Sequence, residues 1–103
     1  MVVVFLLISA GCAYKFTQTT PRSATRRPLD CVFEVLTRQP DQPFSELGVL
    51  DFMGGAAKAA PDARSFAQSV RRDVCRAGGD AVLAEVNGRG KYIRGTVIKY
   101  RTK

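Results

Sequence analysis

The hydrophobic and polar positions along the chain fall into two unlike parts. Residues 2–8 form an unbroken apolar run, and Ser9-Ala10-Gly11-Cys12 leads from it into a polar stretch with two prolines and many hydroxyls. From position 31 the pattern becomes periodic. Residues 31–37 are rich in β-formers and bounded by Pro28 and Pro40, which predicts a first strand. Residues 44–53 predict a second strand, with Gly48 marking a bulge or a close backbone approach. A helix is predicted over 62–77: Ala63, Phe66, Ala67, Val70, Val74 and Ala77 repeat at a spacing of three to four. Asp62 stands where a carboxylate accepts the first free N–H groups, and Gly78-Gly79 supplies the stop. Residues 80–86 and 91–101 read as third and fourth strands joined at Asn87-Gly88-Arg89-Gly90, a hairpin signal. The expected fold is α+β, a four-stranded antiparallel sheet with one helix packed on one face, in the order β-β-α-β-β.

The opening run is of the length expected for the core of a signal peptide, about 7–15 residues, and far short of the ~20 that a spanning helix needs. Small residues before a cysteine suit a narrow signal-peptidase pocket, and a thiol just after the cut can carry a diacylglycerol. Ser9-Ala10-Gly11-Cys12 resembles a bacterial lipobox, although Ser9 stands where Leu is commonest and the basic start is missing. The competing readings are a buried N-terminal strand, because the run is β-branched and continuous, and a plain secretory signal. The organisation expected is a signal peptide at 1–11, an acylated Cys12 heading a basic flexible tether through 29, and a compact periplasmic domain over 30–103. Ala13, where an Asp would favour retention in the inner membrane, points to the outer one.

Charge adds to this picture. The net charge of +7 is uneven: Lys15, Arg22, Arg26 and Arg27 give the 13–29 stretch four positive charges and no acid, while the remainder carries +3. Such a segment is attracted to an anionic surface or stays as a solvated linker. On the helix, Arg64, Arg71, Arg72 and Arg76 lie off the apolar stripe, as a solvated face or an anion site.

Three cysteines and no histidine restrict the chemistry. Zinc sites take about four Cys/His ligands, usually in close pairs, so no metal is expected. No nucleophile, phosphate-loop or acid-pair motif appears, and neither catalytic residues nor a cofactor is assigned. With Cys12 acylated, Cys31 and Cys75 remain as an even pair 44 positions apart. In an oxidising compartment they bridge, which is worth roughly 3–4 kcal/mol, or they stay as thiols, since Cys75 falls off the apolar stripe.

Gln42-Pro43-Phe44-Ser45-Glu46-Leu47-Gly48, Gly79-Asp80-Ala81-Val82-Leu83 and Arg94-Gly95-Thr96-Val97-Ile98, in that order around one helix, resemble the Rcs envelope-stress sensor lipoproteins of enteric bacteria. The resemblance covers roughly 32–100. It implies an outer-membrane lipoprotein with a periplasmic α+β domain that acts by protein contact and not by catalysis. The family's sensor has two disulfides; only Cys31 and Cys75 are available in this domain. The expected partners are the membrane, through the lipid anchor, and another envelope protein, with no nucleic acid and no small-molecule substrate. The alternative is a small basic cytoplasmic nucleic-acid binder, in which the tyrosines of Lys91-Tyr92-Ile93-Arg94 and Lys99-Tyr100-Arg101 would stack bases.

Overall fold

A computed structural model describes residues 14–20 and 25–101. It is α+β, with one helix on a five-stranded mixed sheet. The strands are β1 (Tyr14–Gln18), β2 (Glu34–Leu36), β3 (Phe44–Phe52), β4 (Ala81–Val86) and β5 (Tyr92–Tyr100), and the helix is α1 (Ala63–Ala77). Their order across the sheet is β1-β3-β5-β4-β2. The four-stranded antiparallel expectation is corrected twice: an extra strand opens the domain, and β2 pairs with β4 in parallel.

The extra strand lies in the segment read as tether. In β1, Tyr14 and Phe16 face the helix and Lys15 and Thr17 face away, and the whole strand pairs antiparallel with β3. Tyr14 is 5% exposed; its ring lies 5.1 Å from Phe52 and 5.2 Å from Phe66. Its hydroxyl donates to the Tyr92 carbonyl (2.6 Å) and accepts from the Ala60 amide (3.0 Å). Such a residue is core. The folded domain therefore includes Tyr14–Gln18, upstream of Asp30.

Strand β2 is shorter than the expected 31–37 and runs parallel to β4 for a covalent reason. Cys31 is disulfide-bonded to Cys75 near the end of α1, and β4 departs from that same end at Ala81. Both strands thus leave one corner in one direction, and the Glu34 amide donates to the Asp80 carbonyl as they start (3.3 Å). Pro40 and Pro43, in the connection to β3, are poor material for a tight hairpin.

Helix α1 has the ends its sequence specifies. Asp62 accepts from the Ser65 amide (2.8 Å), and Gly78 caps the C-terminus at φ 83°. Phe66, Val70 and Val74 are fully buried against Leu50, Val82 and Val97. A Cβ on Gly95 would lie 2.9 Å from the Phe66 ring, so this glycine admits the ring to the sheet. At Gly48 a Cβ would overlap Phe16, and the register shift in β3 lies between Glu46 and Gly48. The β4–β5 connection is the turn expected at Asn87-Gly88-Arg89-Gly90. The positive φ falls on Gly90 (79°), and the Asn87 side chain accepts from the Arg89 and Lys91 amides (2.9 and 3.0 Å).

Candidate functional site

The candidate site is a strap, residues 25–33, held on the C-terminal end of α1. Helix C-termini leave carbonyls without intrahelical partners and favour positive charge. The Arg27 amide donates to the Cys75 carbonyl (2.8 Å) and its guanidinium donates to the Gly79 carbonyl (2.7 Å). The same guanidinium lies 3.7 Å from Asp80. Asp80 also accepts from the Tyr100 amide (2.9 Å) and lies 3.8 Å from the Lys99 ammonium. Arg27 was expected to serve a basic tether; here it caps a helix.

The Cys31–Cys75 disulfide fastens the strap, with a Cα–Cα separation of 5.8 Å. Cys75 is fully buried, beside the apolar stripe on the flank that the strap covers. Held this way, the strap presents Leu29 and Val32 to solvent, Val32 at 83% exposure. Cys12 lies outside the described residues, as do the 1–11 segment and Arg22.

The sheet's other face is a second surface. Thr17, Val49, Thr96, Leu83 and Leu36 stand in register as one row across all five strands, pointing away from α1. Beside it runs a charged row of alternating sign, Lys15, Asp51, Arg94 and Glu85, in which Arg94 meets Asp51 at 3.2 Å. Among the described residues no helix or strand packs on this face.

The chain matches no protein-family model, no curated protein and no solved structure.

The described residues hold no group of three or more Cys, Asp or Glu placed to bind a metal ion, and no helix long and apolar enough to cross a membrane. The tyrosines of the nucleic-acid alternative have internal work. Tyr92 stacks on Phe66 with ring centroids 5.3 Å apart, and the Tyr100 hydroxyl donates to Glu34 (3.0 Å). Burial, and then the Glu34 carboxylate, push the Tyr100 phenol above its ordinary pKa. The arginines 64, 71, 72 and 76 are exposed along α1. A shallow depression of about 320 Å³ lies between Ala56–Ala57 and the hairpin residues Asn87, Gly88, Arg89 and Lys91.

Sequence reasoning missed β1 and the strap. A signal for β1 was present in Tyr14-Lys15-Phe16-Thr17, which alternates apolar and polar positions among β-formers. The docking of Arg27 has no comparable local signature.

Proposed function

We propose that this protein is a lipid-anchored bacterial envelope lipoprotein whose small disulfide-stapled domain acts by contact with another envelope protein, in sensing or maintenance of the envelope. One observation carries the reading: Cys31 and Cys75 pair with each other, so the cysteine left over is Cys12, the one that follows an apolar run and Ser9-Ala10-Gly11. A buried structural disulfide suits an oxidising compartment, and a lone cysteine after small residues suits acylation. The exposed Leu29 and Val32 on a covalently fixed strap, together with the open sheet face, suit protein contact. The domain faces the periplasm from the outer membrane in this reading, and no catalysis is assigned to it.

The test is the intact mass of the native protein under non-reducing conditions. The expected species begins at an acylated Cys12 and is lighter by two hydrogens than its reduced form. A chain that keeps Met1 and three free thiols refutes the proposal.

A further inference from the structure

The position of β1 changes what an anchor at Cys12 would do. Cys12 precedes the buried Tyr14 by two residues, and two residues of extended chain reach about 7 Å at most. A domain joined this way has no spacer to hold it off a membrane. One end of the sheet is then fixed at the lipid surface: the end where β1 begins, where β3 finishes, where α1 starts and where the β4–β5 hairpin turns.

That end has the chemistry for the position. The loop after β3 exposes Met53 (62%) and carries Lys58; the hairpin carries Arg89 and Lys91; Lys15 follows Tyr14. Residues 53–61 and 86–92 include no acid. Of the carboxylates that adjoin them in sequence, Asp51 pairs with Arg94 and Asp62 accepts from the Ser65 amide, while Glu85 is exposed, cross-strand from Arg94. The shallow depression between Ala56–Ala57 and the hairpin opens among these cations. By contrast Arg71, Arg72 and Arg76 sit toward the opposite end of α1, roughly 12–20 Å along the helix axis from its start, beyond the ~8 Å screening length.

We propose that this end docks on the anionic phospholipid surface, with Met53 entering the headgroup layer and Lys15, Lys58, Arg89 and Lys91 against phosphates. The inference rests on the proposed anchor and adds to it an orientation: the disulfide strap and Asp80 lie at the opposite end, turned toward the periplasm, where a protein partner reaches them. Each basic residue near an anionic surface changes binding about fivefold, so neutralising three lowers the docking equilibrium roughly a hundredfold.

The chain has no tryptophan, so single reporters are clean. Full-length protein isolated from membranes, carrying Met53→Trp or Gln42→Trp, is reconstituted into vesicles of brominated phosphatidylcholine with or without phosphatidylglycerol. Gln42 is exposed at the opposite end of the sheet. The expected result is quenching of the tryptophan at 53, and not at 42, when phosphatidylglycerol is present. Adding Lys58→Gln, Arg89→Gln and Lys91→Gln abolishes that quenching, while Arg71→Gln, Arg72→Gln and Arg76→Gln leave it unchanged. An unquenched position 53, quenching indifferent to phosphatidylglycerol, or quenching at 42 in its place overturns the orientation. The mass of the same sample separates the two claims. An acylated chain with an unquenched position 53 overturns the docking alone, whereas a chain without an acyl group overturns the anchor and the docking with it.

Discussion

Tyr14 is the residue on which the boundary of the domain turns. Replacing it with Phe keeps the ring against Phe52 and Phe66 and removes only the hydroxyl, which leaves the Ala60 amide without an acceptor and the Tyr92 carbonyl without that donor. An unsatisfied buried group costs about 1–3 kcal/mol, so Tyr14→Phe is expected to destabilise by about 2 kcal/mol. Tyr14→Ala also removes the ring, worth about 3–5 kcal/mol in a packed core, and is expected to consume most of the stability of so small a domain. Urea and thermal unfolding of the oxidised full-length chain measure both. For a domain of this size 2 kcal/mol lowers Tm by about 8–16 °C. The phenol adds a pH signature. Burial raises its pKa, outweighing the Ala60 hydrogen bond that lowers it. The stability from the neutral phenol is complete below the ordinary value near 10 and is lost as pH climbs from there through the raised folded value. Tyr14→Phe is expected to flatten part of that alkaline loss. If Tyr14→Ala unfolds within about 0.5 kcal/mol of the wild type, β1 is no part of the fold, and the 7 Å argument for the membrane-facing end falls too.

Replacing both Cys31 and Cys75 with Ser is expected to cost about 3–4 kcal/mol, seen as a lower urea midpoint that reductant no longer shifts; an unchanged midpoint refutes the bridge. Gly95→Ala places a Cβ 2.7 Å from Val82 and 2.9 Å from Phe66 and is expected to cost about 1–3 kcal/mol by overpacking; a neutral effect in thermal unfolding contradicts the close packing of Phe66 on β5. Burial raises the Asp73 pKa against the lowering influence of Arg76 and Arg72. The folded state therefore holds that proton more tightly than the unfolded chain does, and the ionised carboxylate weighs on stability above its folded pKa, with relief as pH falls through it. Asp73→Asn is expected to raise Tm at neutral pH and to lose the advantage in acid; lower stability at neutral pH would reverse this sign.

The helix was legible because its information is local. The Asp62 cap, the three-to-four repeat from Phe66 to Val74 and the Gly78 stop each act within a turn or two of backbone, and no distant partner is needed to specify them. Strands β3, β4 and β5 were legible as segments for the same reason, bounded by Pro43, Gly79 and the Asn87 turn. In the candidate site the two cysteines could be singled out by counting, but not their distance.

What the sequence by itself determined is this set of segments and their ends. Beyond the β4–β5 hairpin, tertiary structure decided which strands are neighbours. Pairing of β2 with β4 depends on a disulfide that brings together residues 44 positions apart, and membership of Tyr14 in the core depends on acceptors and rings at positions 52, 60, 66 and 92. A short alternating stretch such as Tyr14–Gln18 becomes a strand when an open edge of a sheet offers it hydrogen-bond partners and a half-buried face. The edge of β3 that does so is assembled from residues thirty or more positions away.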